Sequence, residues 1–186
     1  IHRAHVLSVN YVYEIPFFRQ HASRLLRGVL GGWTLSGVTV YQSGAPFTVT
    51  VPVDIARIGV ALSRATLVGD PNLPAGERTP SRWFNTEAFL PPERMTPGQF
   101  GNSGRNILIG PSFRQWDVGL SKWVGLNSRV KLQLRAEAFN VFNQVSFTNL
   151  NTTVRFDSSG RPSQGYGGVT AAGPGRTLEL GARVTF

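Results

Sequence analysis

The chain has no cysteine, which excludes disulfide staples and thiolate metal sites. Its single methionine, Met95, lies in mid-chain and residue 1 is Ile, so the native start codon and any signal peptide are expected outside this sequence. Acids are scarce: ten Asp and Glu against nineteen Lys and Arg leave a formal charge of +9. Such an excess suits nucleic acid, anionic lipid head groups or acidic ligands. The cations are dispersed, however, with Arg3, Arg19, Arg57, Arg105, Arg135 and Arg183 far apart. With neither a basic helix nor a helix-turn-helix pattern, nucleic acid is not an expected partner. No stretch approaches the roughly 18 unbroken apolar residues of a transmembrane helix, so any membrane crossing must be made of strands.

What is present is alternation. From Thr177 onward, Leu178, Leu180, Ala182, Val184 and Phe186 share one side, while Glu179, Gly181 and Arg183 take the other. Four further segments read as strands: His5–Ile15, Trp33–Val49, Phe113–Val124 and Arg129–Val145. The second is the least regular, because Val38 and Val40 fall opposite Trp33, Leu35 and Tyr41. The fourth alternates well, with Val130, Leu132, Leu134, Ala136 and Ala138 against Lys131, Gln133, Arg135 and Glu137. These segments reach the ten or so residues that a tilted strand needs to span a bilayer, longer than the usual five or six of soluble sheets.

The spacers alternate in length. Phe17–Gly32 is expected to include a helical turn, Gly125–Ser128 is a tight turn, and 50–112 and 146–175 are long, rich in Pro, Gly or Ser, and expected to be irregular loops. The expected fold is therefore all-β: an antiparallel up-and-down transmembrane barrel fragment of about five long strands, forming an open curved sheet with long irregular loops. A cation facing lipid near the midplane costs about 2–4 kcal/mol. Lys131, Gln133, Arg135, Glu137 and Arg183 are accordingly assigned to the lumen, and Val130, Leu132, Leu134, Ala136, Leu178 and Leu180 to lipid. Short turns face the periplasm in such barrels, which puts both long loops outside the cell. Trp33 and Trp123 then fall near one rim and Trp116 and Phe142 near the other.

Several stretches resemble the TonB-dependent outer-membrane receptors, in particular the C-terminal barrel of their carboxypeptidase-regulatory-like subgroup. They are GWTLSGVTVYQSGAPFTVT from Gly32, RWFNTEAF from Arg82, FGNSGRNILIGPSFRQWDVGLSK from Phe100, LQLRAEAFNVFNQVSF from Leu132 and the closing LELGARVTF. Asn140, Val141, Phe142 and Asn143 are similar to the Asn-Leu-Phe-Asp/Asn signature of such barrels. Glu179, Gly181, Val184 and Phe186 resemble the signal read by the outer-membrane assembly machinery, with Val184 where an aromatic is usual. The resemblance implies that residues 1–186 are the C-terminal part of a larger barrel of about 22 strands. Its plug, its N-terminal domain and its TonB-binding segment would lie elsewhere in the same protein. The implied partners are outer-membrane lipid, the remaining strands and plug, the TonB system and the assembly machinery, and the implied place is the bacterial outer membrane.

The implied function is the wall of a receptor that imports an unknown ligand. The alternative from the same alternation is a secreted or surface β-sandwich binding module or adhesin. An enzyme is not expected. Gly101, Asn102, Ser103 and Gly104 resemble a nucleophile turn, with His2, His5 and His21 as bases, but any turn uses these residues. No catalytic, cofactor or metal site is read from the sequence.

Overall fold

The computed structural model describes residues 3–59 and 62–186, so His2 lies outside the described residues. The alternating segments form β1 (Val6–Glu14), β2 (Trp33–Gln42), β3 (Phe113–Gly125), β4 (Lys131–Phe139) and β5 (Thr177–Thr185). They hydrogen-bond in chain order into one five-stranded sheet. The β1–β2, β3–β4 and β4–β5 pairs are antiparallel.

Register obeys polarity. Leu178 faces Ala138, Leu180 faces Ala136, Ala182 faces Leu134 and Val184 faces Leu132 across β5–β4. Directly opposed residues in an antiparallel pair share a face, so the ladder aligns apolar with apolar and polar with polar. A one-residue slip would mix the two sets throughout.

Two sheet strands are shorter than their sequence pattern. The second stops at Gln42 rather than Val49, because Gly44–Ala45–Pro46 breaks the ladder and Pro46–Phe47 pairs instead with Leu108–Ile109. The fourth stops at Phe139 rather than Val145, because Asn140 takes a left-handed φ of 51°. Val130 lies outside β4, in the turn 126–130, where its carbonyl accepts from the Leu126 N–H at 3.0 Å. Asn127 closes that turn, its side-chain oxygen accepting from the N–H groups of Arg129 (2.9 Å) and Val130 (2.7 Å).

Gly37 of β2 is required by a close approach. A Cβ there would stand 2.5 Å from the Tyr11 hydroxyl and 2.7 Å from the Asp117 carbonyl oxygen. Tyr11 is its direct cross-strand partner, so the bare glycine lets the ring lie flat on the sheet.

Between β1 and β2 the chain forms helix α1 (Arg24–Leu30), started by Ser23, whose hydroxyl accepts from the Leu26 N–H at 3.5 Å. Gly31 ends it, its N–H reaching the Arg27 carbonyl at 3.1 Å.

The sheet and α1 make one unit, His5–Gln42, Arg114–Val145 and Pro174–Phe186. A second unit contains Ser43–Phe113 and Ser146–Gly173, close to the two long loops in the sequence. It is not irregular filler. Two-residue ladders join Pro46–Phe47 to Leu108–Ile109 and Thr50–Val51 to Ser63–Arg64, and Phe147–Leu150 pairs with Val169–Ala172. Around them Val49, Val51, Phe84, Phe89, Met95, Leu108, Val154 and Tyr166 form a buried core. The Phe84 ring meets Phe89 edge-on at 6.0 Å and Tyr166 at 5.6 Å. Prolines forbid long strands here but not burial, and apolar side chains from both loops supply it.

Candidate functional site

The two faces of the sheet are the feature from which a function can be argued. One face carries Lys131, Gln133, Arg135 and Glu137 of β4 opposite Thr185, Arg183, Gly181 and Glu179 of β5. On the β3 side the same four residues meet Gly125, Trp123, Ser121 and Gly119. Glu137 and Glu179 stand directly opposite, a repulsive pairing by itself. Arg135 relieves it through an ion pair with Glu137, which, being partly exposed, adds about 1 kcal/mol or less. Lys131 stays outside that ion pair.

The other face carries Val118, Leu120 and Val124 of β3, then Leu132, Leu134, Ala136 and Ala138, then Leu178, Leu180, Ala182 and Val184. No second layer covers its outer part: Leu180 is 87% exposed and Leu178 is 68% exposed. None of these residues belongs to the buried core. A sandwich would have put them there.

Two residues depart from the pattern expected of the sequence. Trp123 faces Gln133, so it sits on the polar face rather than among rim aromatics on the apolar one. Lys122 has the parity of Leu120 and faces Leu134, on the apolar face, yet it is only 6% exposed. Its ammonium donates to the Gly28 carbonyl and, at 3.3 Å, to the Val29 carbonyl, at the C-terminal end of α1, and lies 5.6 Å from the centre of the Trp33 ring. Helix C-terminal carbonyls carry partial negative charge, which offsets the cost of burying the cation. Parity alone could have flagged Lys122.

At the opposite end, the Asn-Val-Phe-Asn stretch acts as a clasp. The buried Asn140 amide donates to the carbonyls of Gln144 (3.0 Å) and Pro174 (3.1 Å), and its oxygen accepts from the Gln144 N–H (2.9 Å). The Asn140 N–H donates to Asp117 at 2.9 Å, and Gln115 donates to the same carboxylate. Asn143 accepts from the Arg176 N–H at 3.0 Å, and Phe142 packs edge-on against Trp116 at 5.4 Å. Asn140→Ala removes three side-chain bonds and a residue tolerant of positive φ; a loss of about 2–4 kcal/mol is expected in chemical unfolding. Asn140→Gly, which keeps the backbone but not the amide, should recover less than half of it.

The other motif stretches serve packing in the second unit. Asn102 holds Leu67 by both its amide groups, accepting at 2.7 Å and donating at 3.2 Å. Ser103 is fully buried, its N–H donating to the Ala65 carbonyl at 3.0 Å. A Cβ on Gly101 would stand 2.2 Å from the Arg64 carbonyl oxygen, so only glycine allows this approach. A hydroxyl so enclosed offers no route to a substrate. The Trp83 indole donates to Ile109 at 3.0 Å, and Asn85 starts a short turn by accepting from the Glu87 N–H.

Two groups in this unit are shifted. Burial pushes the Tyr166 phenol well up. Asp157 is held below the usual carboxylate range, first by the Ser159 hydroxyl and then by the Arg161 N–H. Its contribution to the 157–161 turn is therefore present above that range and lost as pH falls through the depressed value.

A family model described as outer membrane beta barrel domain matches residues 1–179, nearly the whole chain. Comparison with curated proteins and with solved structures yields no match. The family accounts for what the geometry shows: long antiparallel strands in chain order, one polar face, and an apolar face whose outer strand is exposed. The chain belongs to the outer membrane beta barrel domain family and is a protein of the bacterial outer membrane.

Proposed function

We propose that the chain is a wall segment of a TonB-dependent receptor that imports a ligand across the outer membrane. The observation that carries this reading is the segregation of the sheet into a charged face and an apolar face whose outer strand is exposed. Leu132, Leu134, Ala136, Leu178 and Leu180 face hydrocarbon, and Lys131, Gln133, Arg135, Glu137 and Arg183 face the lumen. A surface binding module or adhesin of sandwich type lacks support, since its apolar face needs a second sheet. Within this reading the turn 126–130 is periplasmic, and the unit formed by the long loops is extracellular and contributes to ligand capture.

The outer strands β1 and β5 have unpaired edges within this sheet, a costly state in lipid. The remaining barrel strands would pair with them, and a plug and a TonB-binding segment in the rest of the protein would couple the energy. Glu179, Gly181, Val184 and Phe186 on and after β5 serve as the assembly signal, supported by the exposure of Phe186 at 97%. No catalytic role is assigned to any residue.

The deciding experiment is photo-crosslinking of the full-length protein to TonB in living cells. Crosslinks that strengthen when ligand-containing medium is supplied support the receptor. A correctly assembled barrel that never crosslinks to TonB refutes it. In the same cells, Phe186→Ala is expected to lower the assembled fraction several-fold; unaltered assembly would remove the signal from the proposal.

A further inference from the structure

Helix α1 and its approach are cationic and greasy at once. Between Ile15 and Gly32 the chain holds Arg19, Arg24 and Arg27 and no acidic residue. In the same stretch Phe17, Leu25, Val29 and Leu30 are exposed, and α1 buries none of its residues. In water this arrangement leaves a sizeable apolar surface unsatisfied.

The position of the helix is fixed by contacts. Lys122, whose side chain belongs to the apolar face, reaches its terminal carbonyls, and the Trp33 indole donates to Val29 at 3.0 Å. Lys122 lies three residues before the end of β3, next to the turn 126–130. The C-terminal end of the helix is thus held against the apolar face near the short-turn rim. Arg19 is already paired with Glu14 at 2.9 Å, which leaves Arg24 and Arg27 as the cations of the helix itself.

We infer that Phe17–Leu30 is an interfacial foot lying in the head-group layer of anionic phospholipid, with Arg24 and Arg27 binding lipid phosphates and Leu25, Val29 and Leu30 entering the acyl boundary. A layer that is apolar on one side and anionic on the other satisfies both sets of side chains at once. Lys122 is the tether that holds the foot to the wall. The inference rests on the reading of the apolar face as lipid-facing.

The test uses the full-length protein in phosphatidylcholine vesicles with or without phosphatidylglycerol, and in vesicles with lipopolysaccharide instead. A nitroxide at Leu25→Cys reads depth. With phosphatidylglycerol the label should lie at the boundary of head groups and acyl chains, and in phosphatidylcholine alone it should move toward water. Arg24→Gln and Arg27→Gln should each shift the ratio of inserted to lifted foot by about fivefold. A label that stays in water with phosphatidylglycerol, that ignores lipid charge and both substitutions, or that responds to lipopolysaccharide alone overturns the foot. A second nitroxide at Leu180→Cys reads the wall independently: if it also reports water in every vesicle, the face assignment has failed rather than the foot alone.

Discussion

Ala136→Arg is expected to lower the unfolding free energy of the full-length protein in lipid vesicles by about 2–4 kcal/mol, the cost of a cation on the lipid side near the midplane. Ala136 lies mid-strand, between Leu120 on β3 and Leu180 on β5, and the one charged side chain near it on that face, Lys122, is held by the α1 carbonyls. Gln133→Arg is the matched control on the other face. Even with Arg183 opposite, it should cost no more than about 1 kcal/mol, because water in the lumen screens the repulsion. Denaturant titration of the two variants decides the assignment of faces. If Gln133→Arg proves the costlier, the charged face is the one toward lipid and the importer reading fails.

Phe84→Ala is expected to destabilise the unit of the long loops by about 3–5 kcal/mol. Phe84 is essentially inaccessible and is the ring on which Phe89 and Tyr166 converge, so its loss leaves a cavity that neighbours from both loops cannot all fill. The readout is limited proteolysis of the assembled protein. Cleavage within 43–113 and 146–173 should accelerate strongly while the five sheet strands stay protected. Equal resistance in variant and parent would mean that the short ladders, not the aromatic cluster, hold these segments.

The strands were legible because a period of two is written into each of them, most plainly in Lys131–Phe139 and Thr177–Thr185. Their ends were less so. Trp33–Val49 reads as one β-prone run, and only pairing of Pro46–Phe47 elsewhere shows that it divides at Gln42. At Asn140 the pattern of apolar residues continues through Val141, Phe142 and Val145, while the backbone turns because one buried side chain supplies bonds that a strand cannot. The core of the second unit was not legible at all. Val49, Phe84, Leu108 and Val154 are apolar residues without period, from stretches far apart in sequence, and no local rule brings them together. Lys122 is legible only in part: its parity with Leu120 marks a cation on the apolar side, but its partner is a pair of backbone carbonyls, which have no residue type to signal them.

The Asn140 clasp has a consequence for how such a protein can diversify. One side chain holds Gln144 and Pro174, the two stems of the intervening excursion, and Gly173 donates to Ser146 at 2.7 Å just beyond. With both stems fixed, lengthening the exposed tip at Ser158–Gly160 adds only about 0.6 kcal/mol of closure entropy per doubling of length. New sequence can therefore be spliced into the tip while the ladder of Phe147–Leu150 with Val169–Ala172 keeps its alignment.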